Sequence, residues 1–398
     1  MSLATITSQA GLRTKDLERR RDVIRQGMRE QGMELLIAYG SGNHSFVAMN
    51  PGWYVSGFKQ MGKHMAVLMP LEGDMTLIMT PPWDLTRAKE RVVTIANVVA
   101  TDDEHFLETV REEIKRQGMQ GKRTGVSGGE RTEVAGGGGQ ARSVSEAWAS
   151  VLGQQPMNAE KLLSDTAKIR DEWSLYCTRQ AVAIAEEGYQ RLLETARPGM
   201  AEHQVAGMLE TFMRELGAED NFQLMSASQH NRLVHQPTNR TLEMGDVLLG
   251  EITPAVEGEF IQICRTAVIG EPTDLQREKF AMLDTALRAG MKAAVPGTPV
   301  KAVVEAINKP IAEAGYEKYT KPPYMRTRGH SMSLGSMEPE IASDRDHILQ
   351  KGMVFVMHPN QYIPDTGYMM CGEPVIITDN GAANLTSRMG TLDSIVFR

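Results

Sequence analysis

Cysteine is scarce in this sequence of 398 residues: Cys177, Cys264 and Cys371 are odd in number and far apart. This pattern excludes a disulfide scaffold and favours a reducing compartment, so we expect a cytoplasmic protein. Long apolar runs are also missing, since no stretch reaches the roughly 18 residues that a membrane-spanning helix needs. Residues 1–13 lack a charged segment followed by an apolar one, so no secretory signal is expected.

Positive charge is not in excess either. Lys and Arg number 43 against 50 Asp and Glu, which gives a formal net charge of −7. Because a domain that binds nucleic acid normally carries a basic surface, no nucleic-acid partner is expected. The remaining composition is ordinary for a globular protein, with 41% hydrophobic and 23% charged residues, and the chain is long enough for two buried cores. We therefore expect a soluble two-domain protein that binds neither a membrane nor a nucleic acid.

Residues 1–157 alternate between helical and strand patterns, which predicts an α/β domain with a mixed sheet. The predicted elements are helices over 15–31 and 103–118 and strands over 34–39, 64–70, 75–80 and 122–126. The glycine run 136–139 has no Lys-Ser/Thr after it and no strong strand before it, so we interpret it as a surface loop and not as a phosphate cradle.

Residues 158–398 form the second predicted domain, which begins with helices and then becomes rich in strands. The predicted helices cover 171–196, 202–217 and 299–315, and the predicted strands cover 246–253, 259–269, 353–358 and 373–378. Residues 254–258 are expected to form the hairpin loop between the first two strands.

Polar side chains interrupt these two strands at Glu251, Gln262 and Cys264. A buried polar group without a partner costs on the order of 1–3 kcal/mol. The pattern therefore indicates a functional site and not a plain core. Buried free cysteine usually behaves as a small hydrophobe, so neither Cys264 nor Cys371 is predicted to be a nucleophile.

A set of ordered motifs in the second domain resembles the creatinase/aminopeptidase P/methionine aminopeptidase superfamily (M24). The motifs are Val234–Pro237, Gly245–Glu251, Gly258, Gln262, Arg265–Thr266, Gly329–Ser331, Glu338–Pro339, Gly352–Phe355 and Gly372–Glu373. The resemblance implies an α+β fold, with a C-terminal pita-bread domain over 158–398 and a smaller N-terminal α/β domain over 1–157.

The peptidases of this superfamily bind two metal ions through two Asp, one His and two Glu. The resemblance places these five positions on Glu251, Gln262, His330, His358 and Gly372, with Glu373 adjacent. Carboxylates are the ligands that hard divalent ions prefer, and two of the negative charges are missing here. A further histidine of the peptidases falls on Met337. From this depleted set we expect no metal site and no cofactor.

The resemblance extends to two metal-free relatives, creatinase and ectoine hydrolase. It implies a creatinase-like, metal-independent hydrolase of a C–N bond in a small, nitrogen-rich, cationic compound. His235 is then the acid/base group, and Glu251 is the nucleophile or a substrate-binding carboxylate. The expected catalytic residues are His235, Glu251 and His330, and the expected substrate-binding residues are Gln262, Arg265, His358 and Glu373.

Three alternatives remain open. The first is a metal-dependent Xaa-Pro-type peptidase with an atypical ligand set, and the second is a non-catalytic pita-bread module that binds a partner. The third is a metal-dependent carbon–sulfur lyase, which needs the missing carboxylates. The resemblance also implies a homodimer in which the N-terminal domain, through residues 50–54, lies near the partner's active site.

Overall fold

A computed structural model describes residues 10–42, 50–92, 94–128, 133–135, 141–332 and 337–396. Within the chain, one compact unit comprises residues up to Ala167 together with Asp171–Trp173. The other comprises Lys168–Arg170 and Ser174–Arg398. The domain boundary expected after residue 157 stays a prediction.

The first unit combines helices with a mixed sheet. Its helices are α1 (Ala10–Gln31), α2 (Pro51–Ser56), α3 (Leu85–Arg91), α4 (Phe106–Arg116), α5 (Val144–Leu152) and α6 (Glu160–Lys168). Its strands are β1 (Leu35–Ser41), β2 (His64–Pro70), β3 (Thr76–Met79), β4 (Asn97–Ala100), β5 (Thr124–Ser127), β6 (Glu133–Ala135), β7 (Ala141–Ser143) and β8 (Met157–Asn158).

Six of these strands form a sheet in the order β4-β3-β2-β1-β5-β8. The central strand β1 pairs antiparallel with β2 and parallel with β5, so the predicted mixed sheet is confirmed. The predicted helix over 103–118 begins later, at Phe106, because the Asp102 carboxylate accepts the amide N–H of His105 in a preceding turn. The glycine run 136–139 lies outside the described residues.

The second unit combines helices with two five-stranded sheets and a two-stranded ribbon. Its helices are α7 (Glu172–Thr195), α8 (Glu202–Glu215), α9 (Asp274–Ala293) and α10 (Val300–Ile311). Its strands are β9 (Asp220–Ser228), β10 (Val247–Val256), β11 (Glu259–Phe260), β12 (Ile263–Ile269), β13 (Thr327–Ser331), β14 (Glu340–Ala342), β15 (Val354–Met357), β16 (Gln361–Ile363), β17 (Gly367–Met369), β18 (Glu373–Thr378), β19 (Gly381–Asn384) and β20 (Leu392–Ile395).

The hairpin between β10 and β11 is tighter than the predicted loop over 254–258. Strand β10 continues to Val256, and only Glu257 and Gly258 form the turn. Their φ angles are 52° and 83°, which is the left-handed conformation that a two-residue hairpin turn requires. The predicted loop is therefore wrong at its first three residues, because a type I′ turn needs no more than two.

Two five-stranded sheets of this unit are joined by a backbone bridge. One sheet has the order β11-β10-β12-β20, with β9 paired to β10, and the other has the order β14-β13-β15-β18-β19. Between them, Cys264 and Gly372 form an isolated antiparallel bridge. Helices α9 and α10 contribute apolar side chains to a core with β15 and β18, in which Phe355, Met357, Met369 and Cys371 are buried.

None of the described helices combines the length and the apolar character needed to cross a lipid bilayer. The cytoplasmic location expected from cysteine usage stays a prediction.

Candidate active site

One row of residues crosses the joint between the two sheets. Glu251 on β10 lies opposite Cys264 on β12, and Cys264 in turn lies opposite Gly372. Met357 pairs with Glu373, so His358 comes next to Gly372. Directly opposed residues of neighbouring strands project to the same side, so these four residues share one face. We call the surface formed by Glu251, Cys264, Gly372 and His358 the site face.

Glu251 is a largely buried acid on the site face. Its carboxyl has no hydrogen bond or ion pair with any described residue. Burial raises its pKa from the usual 4.5 to about 7. Since no cation among the described residues offsets the loss of hydration, the group is balanced between its charged and neutral forms at neutral pH. A carboxyl in that state can take up and release a proton during a reaction.

The thiol of Cys264 receives two amide hydrogen bonds. The Gln262 side chain donates through Nε2 to Sγ at 3.4 Å, and the Asn360 side chain donates through Nδ2 at 3.5 Å. Burial and the charge of Glu251 nonetheless raise the pKa of Cys264 to about 12. The thiol therefore stays protonated at neutral pH, as expected for a cysteine that is not a nucleophile. Gln262 lies beside the site face through this bond.

The two histidines predicted for the site are together. The rings of His330 and His358 contact edge to face, with centroids 5.4 Å apart. Burial lowers the pKa of both, and for His358 burial together with His330 lowers it to about 3. Nδ1 of His330 lies 3.0 Å from the Ser331 carbonyl oxygen, so this nitrogen carries the proton and Nε2 is an acceptor. Nδ1 of His358 is buried and has no hydrogen-bond partner among the described residues.

Position 372 requires glycine because the chain segments that carry Cys264 and His358 approach it closely. A Cβ atom at this position would lie 2.7 Å from Cβ of His358 and 2.8 Å from both Cβ and Sγ of Cys264. Real side chains do not make such contacts, so position 372 cannot hold a carboxylate in this arrangement.

Arg265 and Glu373 lie on the opposite side of the strands from the site face, since each follows a residue of that face by one position. Their side chains form an ion pair with Nη1 2.9 Å from Oε1, and both are almost completely buried. Glu373 also accepts the Thr386 hydroxyl at 2.8 Å and the Gly390 amide at 2.6 Å. Their predicted substrate-binding role stays a prediction, but the structure pairs their charges with each other.

His235 is not part of the row on the site face. Its side chain is exposed, and its Nδ1 lies 2.8 Å from the Gln236 carbonyl oxygen. Its own carbonyl accepts the amide of Met225, and Met225 pairs with Gly250 on β10. His235 thus lies two strand spacings, about 10 Å, from β10. Its predicted acid/base role stays a prediction.

Sequence reasoning missed three polar residues at the site. Asn360 is 1% exposed and bonds the Cys264 thiol, and Tyr368 lies near enough for the charge of Glu251 to raise its pKa. Arg328 is fully buried and donates to the side chains of Asn308 and Gln361. The available signals were the polar Asn360 two positions after His358 and the arginine directly before the Gly-His element.

The donor set does not fit the two divalent ions that the resemblance implies. Among the described residues, no group of three or more His, Cys, Asp or Glu side chains is placed to hold a metal ion. Gln262 is neutral and bonded to a thiol, Gly372 has no side chain, and Glu373 is paired with Arg265. A two-ion centre needs several free carboxylates, whereas the four residues of the site face supply one, that of Glu251.

Comparison with known sequences identifies relatives over the second unit. Residues 176–379 match the sequence pattern of Metallopeptidase family M24. The Xaa-Pro dipeptidase of Pyrococcus furiosus is 29% identical over 231 residues, which are 57% of this chain and 65% of that protein. The uncharacterized peptidase YqhT of Bacillus subtilis is 28% identical over 222 residues, which are 55% of this chain and 62% of that protein. The chain thus spans less than two thirds of the length of these curated relatives.

Solved structures match over nearly the whole chain. An X-Pro aminopeptidase from Thermotoga maritima MSB8 has a TM-score of 0.79 at 21% identity, covering 94% of this chain and 99% of its own. A Xaa-Pro dipeptidase from Bacillus anthracis has a TM-score of 0.78 at 22% identity, covering 95% and 99%. At these identities the likeness shows the fold, and the expected α+β architecture with a pita-bread domain is confirmed.

The comparisons contradict the expected creatinase-like, metal-independent hydrolase of a small nitrogen-rich compound, and that expectation is wrong. It rests on the loss of a carboxylate at three of five ligand positions, Gln262, His358 and Gly372, whereas the metallopeptidase pattern extends over residues 176–379. The curated relatives of this chain are named as dipeptidases and peptidases.

Proposed function

The chain belongs to Metallopeptidase family M24, and from this membership and the geometry of the site face we propose that it is a Xaa-Pro-type peptidase. It is a hydrolase of that family. We infer that its substrates are short peptides in which proline follows the scissile bond. The names of its relatives support this substrate class, because several are called Xaa-Pro dipeptidase.

The observation that carries the proposal is the carboxyl of Glu251 on the site face, which is largely buried and has no partner among the described residues. Its pKa of about 7 makes it a base that is still charged in a large share of molecules at neutral pH. In the proposed reaction, Glu251 takes a proton from a water molecule while the water oxygen attacks the carbonyl carbon. It then gives that proton to the proline nitrogen as the C–N bond breaks, which leaves two free products and restores the carboxylate.

The neutral histidines orient the substrate in this proposal. Nε2 of His330 is an acceptor and can take a hydrogen bond from an N–H group of the peptide. Nδ1 of His358 is buried without a partner among the described residues, which is costly unless a bound molecule satisfies it. Both rings stay uncharged at neutral pH because burial lowers their pKa values. They therefore act through hydrogen bonds and not through charge.

The test is proline release from a series of dipeptides. Purified protein is incubated with Ala-Pro, Leu-Pro and Gly-Pro, and with Ala-Ala and Leu-Ala as matched peptides without proline. Each assay is run with added Mn²⁺ and after treatment with EDTA, so that an ion requirement is detected whatever its origin. We expect release from the Xaa-Pro peptides and a loss of release in Glu251→Gln. Equal cleavage of Leu-Ala and Leu-Pro, or no cleavage under any condition, contradicts the proposal.

The homodimer also remains a proposal. Trp53 and Tyr54, expected to lie near a partner's active site, are both 4% exposed in this chain. Light scattering of the purified protein tests the dimer directly.

A further inference from the structure

Tyr368 lies on β17 and precedes Gly372 by four residues. Met369 and Cys371, which alternate with it, are buried in the apolar core below the strands. Because successive side chains of an extended chain point to opposite sides, Tyr368 points to the same side as Gly372. That side is the site face, where Glu251 and His358 lie.

The ring of Tyr368 is held in place through its backbone. Its amide donates to the Asn231 carbonyl at 2.7 Å, and it pairs with Tyr362 across the two-stranded ribbon of β16 and β17. Its hydroxyl, by contrast, has no hydrogen bond with any described residue. A partly buried hydroxyl without a partner is free to donate to a bound molecule.

The charges around this hydroxyl keep its proton in place. Burial, Glu251 and Cys264 all raise the pKa of Tyr368, and Arg328 lowers it by less. The phenol is therefore neutral throughout the range in which proteins work, and it remains a hydrogen-bond donor. No proton needs to leave it for this purpose.

Hydrolysis of an amide places negative charge on the carbonyl oxygen while the carbon becomes tetrahedral. A fixed donor aimed at that oxygen stabilises the charge more than it stabilises the uncharged substrate. Glu251 cannot serve, because it acts on the attacking water.

We propose that Tyr368 is a further catalytic residue, whose hydroxyl donates a hydrogen bond to the carbonyl oxygen of the scissile bond as that oxygen gains charge. This inference rests on the proposed peptidase function for its substrate. The placement of Tyr368 on the side of the site face does not depend on that function.

The first experiment measures proline release from Leu-Pro by Tyr368→Phe, which removes the hydroxyl and keeps the ring. Removal of one such donor lowers kcat by about 10²–10³-fold. We expect that loss, with KM within about threefold of the wild-type value because the donor acts mainly in the transition state. Tyr324→Phe is the matched control, since Tyr324 is 41% exposed and lies outside the strands of the site face, and it should stay within about twofold. An active wild type with unchanged kcat in Tyr368→Phe overturns the proposal.

The second experiment needs no turnover. The protein is labelled with 3-fluorotyrosine, and the signals of Tyr368 and Tyr324 among the nine tyrosines are assigned by their loss in the two Phe variants. Glu251→Gln should shift the fluorine signal of Tyr368 and leave that of the exposed Tyr324 in place. An unshifted Tyr368 signal overturns the proposal, whatever the substrate is. A wild type that cleaves no Xaa-Pro peptide while the signal does shift overturns the proposed substrate class alone.

Discussion

Cys264 and Gly372 bond each other's backbones, and in doing so they join the two sheets of the second unit. The amide of Cys264 donates to the Gly372 carbonyl at 3.0 Å, and the amide of Gly372 donates back at 3.3 Å. The contact is this close because Gly372 has no side chain. It brings Glu251 from one sheet and His358 from the other onto one face.

The first prediction concerns catalysis by Glu251. Glu251→Gln removes the base, and we expect kcat/KM for Leu-Pro to fall by about 10²–10⁴-fold. In the wild type, kcat/KM should rise with pH through about 7, because Glu251 must lose its proton to act and its pKa lies there. The measurement is a pH profile of proline release. Glu243→Gln, which changes an exposed acid in the segment before β10, is the control and should keep both the rate and the profile.

The second prediction concerns stability. Glu251 has a folded-state pKa near 7, above its usual 4.5, so the unfolded chain loses this proton first as pH rises. The contribution of Glu251 to the free energy of unfolding is therefore most favourable below pH 4.5. It declines between pH 4.5 and 7, by at most about 3 kcal/mol. Glu251→Gln cannot ionise. Urea unfolding should show that the free energy of unfolding of the variant, relative to the wild type, is higher at pH 8 than at pH 5. An equal difference between the two proteins at both pH values would contradict the shifted pKa.

The third prediction concerns the close approach at Gly372. Gly372→Ala forces a methyl group against Cys264 and His358, and we expect a loss of about 1–3 kcal/mol in the free energy of unfolding. Gly207→Ala is the control, because Gly207 is exposed in α8 with nothing within 4 Å of the added methyl. It should stabilise the protein by about 0.5–1 kcal/mol through helix propensity. Equal free energies of unfolding for the two variants would show that the site face is less tightly packed than the distances indicate.

The fourth prediction concerns the ion pair behind the site face. Glu373→Gln leaves the buried guanidinium of Arg265 without its counter-charge, and we expect a loss of about 3–5 kcal/mol. The exposed pair Lys351–Asp379 provides the comparison, since both side chains are 67% exposed. Asp379→Asn should cost less than about 1 kcal/mol. A similar small cost for Glu373→Gln would show that the pair does not support the joint between the sheets.

The sequence by itself determined much of the local structure. The apolar pattern located the strand His64–Pro70 at its observed bounds and the strand Glu373–Thr378 likewise. It also located Glu251 within a buried strand, where an acid has no structural reason to be. These features follow from spacing along a few neighbouring residues, because burial of one strand face imposes a period of two.

Only the tertiary structure decided which residues act together. Arg265 and Glu373 are 108 residues apart, and each in isolation has the chemistry of a substrate-binding group. Their pairing, the requirement for Gly372 and the position of Tyr368 all depend on how two separate sheets meet. The alternation of side chains along a strand determines on which face of that strand a residue lies. It does not determine which distant strand lies beside it. The contact between the sheets supplies that information, and with it the low pKa of His358 and the unpaired state of Glu251.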